Sequence, residues 1–305
     1  MDKTVRLWHI SEEECLRVFS HNDFVTCVQF NPIDDSYFLS GSLDYKLRTW
    51  SIPGRQVVDW VDLPEIITAI TYSPDGAKAI VGSHKGTCRF YNTTGNKLQL
   101  DASIDVRTEN KKGRGKRITG VHCMPGDPQK VLITSNDSRI RVYDGQELCA
   151  KYKGLKNVNS LISASYTSSG DYIISASEDS RVLIWSSDNK DPSSAKSLYR
   201  RDKQLSCEEF SCHLVSLAIP WPGSRTVSSY SEPGSGTSAG DEVDEMDEEP
   251  DGVVQGDSTR FDDVKFENQG KATSLVSALW GVVIVTAGLD GKIRTFQNYG
   301  HPVRL

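Results

Sequence analysis

The chain lacks any apolar stretch near the roughly 18 residues that a membrane-crossing helix requires. Its most hydrophobic run, Leu279 to Val285, is short and reads as a strand. The opening residues, Met1-Asp2-Lys3-Thr4-Val5-Arg6, hold no apolar core like that of a secretory signal. A disulfide framework is missing too, because seven cysteines are an odd number without regular spacing, which fits a reducing compartment better. The expected setting is the cytoplasm. Hydrophobic residues make up only 37%, low for a soluble protein, so some segment must be unusually polar. That segment runs from Asp241 to Asp251 and carries eight carboxylates and no base. Setting it aside moves the formal net charge from −6 to +2. Without a concentrated basic excess, a broad nucleic-acid-binding surface is not expected.

What the chain does have is a repeat. Its 305 residues could fill one large core or two ordinary ones, and the repeat decides how they are used. A few apolar residues, a tight polar turn, alternating residues and then an aromatic recur. The pattern is plainest from Leu39 to Trp50, Ile174 to Trp185 and Val285 to Phe296. Weaker copies run from Ile80 to Tyr91 and Ile133 to Tyr143, and the chain opens on the second half of one. The closing positions are Trp8, Trp50, Tyr91, Tyr143, Trp185 and Phe296, all aromatic. In five of the six an aspartate stands six residues earlier: Asp2, Asp44, Asp137, Asp179 and Asp290. Lys85 is the exception. The aromatics are spaced by 42, 41, 52, 42 and 111 residues. Three of these match the roughly 40–45 residues of a four-stranded propeller blade, and two carry insertions.

Each unit also has strand chemistry. Val25 to Phe30, Tyr37 to Ser40 and Gln56 to Trp60 are short β-branched and aromatic runs between clusters of Pro, Gly, Asn and Asp. One such sheet is a poor fold alone, and it becomes stable when its faces pack against neighbouring blades.

The stretch His21-x3-Val25-x2-Val28-x-Phe30-x-Pro32, followed by Ser40-Gly-Ser-x-Asp44-x5-Trp50, resembles a WD40 repeat. The resemblance implies an all-β propeller in which His21, Ser40, Asp44 and Trp50 form a hydrogen-bonded structural tetrad. Leu63 and Asn157 take the place of His21 in two later blades, which then rest more on packing. Met1 to Ile10, Ile118-Thr-Gly, Thr134 to Asp144 and Lys151-Tyr-Lys-Gly are similar to the propeller of Rab-GTPase-binding WD40 trafficking proteins. The wording from Ala278 to Leu305 is similar to the plant branch. This likeness covers about residues 1–187 and 271–305, and in that family the best-known Rab-binding activity lies outside the propeller.

The expected architecture is about five whole blades plus the C-terminal half of one, because Asp2 aligns with the turn between the second and third strands. Such a chain reads as a fragment of a longer protein and is expected to expose sheet edges. The expected domains are blades over 1–187, a last-blade first strand near 213–222 with an insertion within 188–271, and closing strands over 272–305. In that last blade the first three strands are expected at 215–220, 282–287 and 292–296, with a short fourth around 302–305. Ser224 to Gly256, rich in Ser, Gly, Asp and Glu, is expected to be a disordered loop. Its serines beside acidic residues are candidate phosphorylation sites.

No catalytic constellation emerges, and neither a cofactor nor a metal is expected. His, Ser and Asp within one blade suggest a hydrolase triad only until the repeat explains each of them. Cys207-x4-Cys212-His213 lacks the second ligand pair of a zinc site. Gly234 to Ser238 has no phosphate-loop lysine, and the glycosylation patterns at Asn92 and Asn136 mean little without a secretory signal. The dense basic run Arg107, Lys111, Lys112, Arg114, Lys116 and Arg117 precedes the strand Ile118 to Cys123. It reads as a solvated loop, or as a docking site for a partner's acidic patch, anionic head groups or phosphate. The acidic loop folding back to mask it is an alternative. The leading expectation is a protein-interaction scaffold in vesicle or endosomal traffic, with possible small-GTPase-linked partners and peripheral contact with anionic membrane. A nuclear or RNA-associated adaptor using the basic run is the second.

Overall fold

The computed structural model describes residues 2–106, 115–187, 207–221 and 282–297. They build six antiparallel sheets, taken up in chain order. Sheet 1 has two strands, β1 (Thr4–Leu7) and β2 (Arg17–Ser20). Sheet 2 holds β3 (Val25–Phe30), β4 (Tyr37–Ser42), β5 (Lys46–Ser51) and β6 (Gln56–Asp62). Sheet 3 holds β7 (Ile67–Tyr72), β8 (Lys78–Ser83), β9 (Thr87–Asn92) and β10 (Gln99–Asp105). Sheet 4 holds β11 (Ile118–Met124), β12 (Asp127–Ser135), β13 (Arg139–Asp144) and β14 (Glu147–Tyr152). Sheet 5 holds β15 (Ser165–Tyr166), β16 (Tyr172–Ser177), β17 (Arg181–Ser186) and β18 (Cys207–Ser211). Sheet 6 has β19 (Val215–Pro220), β20 (Val283–Gly288) and β21 (Ile293–Gln297). The fourth strand expected around 302–305 lies outside the described residues, as does the stretch 224–256.

One strand was not expected from the sequence. β18 pairs with β17, Arg181 opposite Ser211 and Trp185 opposite Cys207, so the fifth sheet runs past the boundary expected at 187. Cys-Glu-Glu-Phe-Ser offers little β-branched content, and a long polar stretch separates it from β17, so its strand signal is weak. Every described sheet is a meander in which each strand pairs with the next in sequence. Connections therefore fall on two rims. One rim carries the turn between second and third strands and the connection from each sheet to the next. The other carries the remaining turns, including the ends at Trp221 and Val282 that flank 222–281.

The core is divided among the joints between sheets. Phe19, Phe38 and Trp50 fill the joint of sheets 1 and 2. Leu39, Ile67 and Ile70 lie in the second joint, and Phe90, Val121 and Tyr143 in the third. Tyr152, Ile173 and Trp185 fill the fourth, and Phe210, Ala218 and Ile284 the fifth. The joints are tight. A Cβ on Gly41 would sit 2.5 Å from Ile67 Cγ2, and one on Gly82 would sit 2.5 Å from Ile118 Cγ2. Glycine lets the second strand of one sheet abut the first strand of the next. Each closing aromatic from Trp50 onward packs toward the preceding sheet.

Among the described residues sheet 1 has two strands, and the face of β3 beside them is open. Val28 and Phe30 on β3 are 54% and 50% exposed. Their register equivalents on β7, Ile70 and Tyr72, are 9% and 3% exposed because sheet 2 lies against them. Trp8, which has no preceding sheet among the described residues, is 53% exposed. At the other end Leu217 and Ile293 of sheet 6 are exposed as well. Ile70→Ala should therefore cost about 2–5 kcal/mol of stability, by lost transfer energy and a cavity. Val28→Ala should cost less than about 1 kcal/mol, since it is already largely in water. Chemical denaturation of the two variants compares them directly.

Candidate interaction surface

The rim that carries the sheet-to-sheet connections is set by a turn repeated in every sheet. The residue after each expected aspartate, or after Lys85, has a positive φ: Lys3, Tyr45, Gly86, Ser138, Ser180 and Gly291. Aspartate suits the preceding position because its carboxylate takes a backbone N–H two residues on. Lys46 N donates to Asp44 at 3.1 Å and Lys292 N to Asp290 at 3.2 Å. At Lys85, which has no carboxylate, Ser83 Oγ accepts the N–H of Thr87 at 3.0 Å instead.

In sheet 2 the structure brings His21, Ser40, Asp44 and Trp50 together. Trp50 Nε1 donates to Ser40 Oγ at 2.7 Å, and His21 Nε2 lies 2.6 Å from the same oxygen. His21 Nδ1 lies 3.4 Å from Asp44 Oδ2. A fifth member joins them: Arg48 donates to Asp44 Oδ2 at 2.8 Å and to His21 Nδ1. A guanidinium N–H can only donate, so Nδ1 accepts and Nε2 carries the proton toward Ser40. Burial, and then the Arg48 charge, push the His21 pKa down against the opposing pull of Asp44. Burial alone would raise the Asp44 carboxyl, but Arg48 and the backbone N–H groups of Lys46 and Asn22 hold it below the usual range. Every polar group of the triad-like set is engaged by the fold. None is presented as a nucleophile.

The arginine is the residue that the aspartate-to-aromatic spacing left out. Asp2, Asp44, Asp137 and Asp290 each pair with an arginine four residues on: Arg6, Arg48, Arg141 and Arg294. Asp179 pairs with Arg181, which also reaches Glu209 at 2.6 Å. The signal Asp-x3-Arg is in the sequence four times. In sheet 3 the carboxylate comes from elsewhere: Glu65 lies 3.6 Å from Arg89 and accepts the Ser83 and Thr87 hydroxyls. Arg141 is the deepest of the set, fully buried on Asp137 and on Ser135 Oγ at 2.9 Å.

The remaining expected positions are accounted for by packing. Tyr91, Tyr143 and Trp185 are buried in three successive joints, and Trp185 Nε1 donates to Lys153 O at 3.2 Å. The Phe296 ring lies 4.7 Å from that of Phe210. Leu63 is buried among apolar neighbours, and Asn157 Nδ2 donates to Thr119 Oγ1 and to Ile162 O. Cys212 is buried between sheets 5 and 6, its sulfur 3.5 Å from Thr286 Oγ1. Burial raises the thiols of Cys27 to about 11 and Cys123 to about 12, far from reactive values. No group of three His, Cys, Asp or Glu placed to hold a metal occurs among the described residues.

Of the basic run, Arg107, Lys111, Lys112 and Arg114 lie outside the described residues. Lys116 is exposed and Arg117 is half-buried, its Nε donating to His84 Nδ1 at 3.1 Å. They stand on the connection rim. Trp221 and Val282 stand on the opposite one, and the acidic loop between them, with the masking alternative it would serve, lies outside the described residues.

Six sheets meeting face to face in chain order, five of them turned on an aspartate and most closed by a buried ring, are the blades of a WD40 propeller. Residues 13–51, 63–92 and 147–186 match the family model described as "WD domain, G-beta repeat". The chain belongs to the WD40-repeat β-propeller family, whose members are scaffolds for protein–protein interaction and are not known for catalysis. Among curated proteins it is 43% identical to WD repeat-containing protein 44 of Xenopus laevis, over 98% of this chain and 30% of that protein. It is 37% identical to an uncharacterized WD repeat-containing protein of Schizosaccharomyces pombe, over 62% of this chain and 33% of that protein. WD repeat-containing protein 82 of Drosophila melanogaster is 28% identical, over 62% of this chain and 58% of that protein. The chain thus spans about a third of the length of the first two relatives.

Two outcomes follow from the buried charges. Asp137→Ala leaves Arg141 buried without a counter-charge and should cost about 3–5 kcal/mol, while adding Arg141→Met should restore most of it. Equilibrium denaturation of the single and double variants reads this out. His122 and His21 are both held below the ordinary histidine pKa, His122 by burial alone. The unfolded chain therefore binds protons that the folded one refuses, so stability should fall as the pH drops through about 6.5. Melting temperature against pH, with His122→Gln flattening the slope, tests the assignment.

Proposed function

We propose that this propeller is a protein-interaction scaffold of intracellular vesicle and endosomal traffic, working in the cytoplasm and peripherally on membranes. Small-GTPase-linked machinery is the proposed partner class. The trafficking part rests on the stretches Met1 to Ile10, Thr134 to Asp144 and Lys151 to Gly154, which are similar to Rab-GTPase-binding WD40 proteins. The plant-branch assignment rests on the wording of residues 278–305. The observation that carries the scaffold reading is the division of labour on the connection rim. Carboxylates there are consumed in holding turns, and several exposed cations and apolar side chains are not. Loops on a rigid buried platform are where binding residues concentrate.

The test is affinity capture with the full chain, scored for Rab-family GTPases and endosomal coat proteins, alongside its location in cells against endosomal markers. Enrichment of those proteins together with punctate endosomal signal is the expected result. A nuclear signal with co-purifying RNA that falls steeply with salt would overturn the trafficking assignment in favour of an RNA-associated adaptor.

A further inference from the structure

We propose that the connection rim from sheet 3 to sheet 5 is a docking strip for an acidic, leucine-bearing linear segment of a partner protein. The proposal rests on the scaffold reading and supplies the partner's chemistry. Lys85 stands on the turn of sheet 3, Lys116 and Arg117 lead into β11, Arg139 opens β13, and Lys156 lies on the connection into β15. These positions are joined by direct contacts. Arg117 donates to His84, and Asn136 N donates to Arg117 O at 2.9 Å. Asn136 Nδ2 donates to Val158 O at 3.1 Å, and Asn157 N to Ser138 Oγ at 3.0 Å. The strip is therefore continuous across three sheets.

Its charge is uncompensated. Among the described residues none of these five cations lies within ion-pair distance of a carboxylate. The carboxylates of the same sector are already committed. Glu65 holds Ser83, Thr87 and Arg89, and Asp137 holds Arg141. Glu178 accepts the N–H groups of Val158, Asn159 and Ser160 at 2.9, 2.7 and 2.8 Å. Those three bonds also fix the connection, so Val158 and Leu161 are displayed to water from a held backbone. A preformed display of apolar groups beside cations lowers the ordering cost of binding.

The layout selects a peptide over other anions. The cations are distributed over three successive sheets, whereas a phosphate would require them gathered at one point. A membrane would have to lie across the whole rim, yet these five cations occupy only its sector from sheet 3 to sheet 5. An extended chain needs only the strip, and alternating acidic and apolar side chains would meet the cations and Val158 with Leu161 in turn.

Fluorescence anisotropy with a labelled synthetic peptide alternating glutamate and leucine, titrated with the full chain, tests the proposal. Binding should weaken at least about tenfold in the variant Lys85→Glu/Lys116→Glu/Arg139→Glu, and should weaken with added salt. Val158→Ser/Leu161→Ser should weaken it by several-fold, and thermal melts should show both variants folded because the changed residues lie at the surface. A lysine–leucine peptide should not bind. Peptide binding that ignores the charge reversal would overturn the strip. So would phosphatidylserine vesicles, inorganic phosphate or single-stranded RNA binding in place of the peptide with the same dependence on the three residues. Failure of the peptide arm with endosomal proteins still captured would remove the strip alone. Failure of that capture removes the trafficking reading, whichever way the peptide behaves.

Discussion

Face-to-face packing of one sheet on the next is the constraint from which the other features follow, since a lone four-stranded sheet has two faces and can cover neither. Here Leu39 and Ile70 meet in one joint and Phe90 and Val121 in the following one, so every interior sheet is buried on both sides. The short Gly41–Ile67 and Gly82–Ile118 approaches set how closely the first strands crowd together. That crowding in turn fixes where each turn emerges on the rim. Buried carboxylates become tolerable there because an arginine on the following strand is delivered at the same height.

Much of this was readable from residue order. The aspartate-to-aromatic interval placed the third strand of each unit, and Val25 to Phe30 announced itself by β-branched and aromatic content. The arginines at positions 48, 141 and 294 escaped notice because an arginine on a strand reads as solvated until its partner is located. Glu65 was hidden for a different reason: it serves a turn some twenty residues away in sequence, a relation that no local spacing encodes. β18 was missed because Cys207 to Ser211 joins its sheet across a long polar separation. The exposure of Val28 and Phe30 depends on what is absent opposite them, and a strand's own residues carry no record of that.

The two rims differ in what they offer. One bears cations and apolar side chains, with Glu178 holding the connection at Val158 to Ser160. The other receives the ends of the segment that contains the acidic tract. Exposed Lys85, Lys116 and Lys156 lie on the first, and so charge as well as shape distinguishes it. Partners approaching from different sides would meet different fields.

The open face beside β1 has one more consequence. A sheet packed on both faces can open only when two joints part, whereas one face of β3 is already in water. Sheets 3 and 4, flanked on both sides, would therefore exchange their amide hydrogens more slowly than β3, beside which Val28 and Phe30 are exposed. The same uneven tenacity puts a secure part of the fold directly beneath the cationic stretch of the rim.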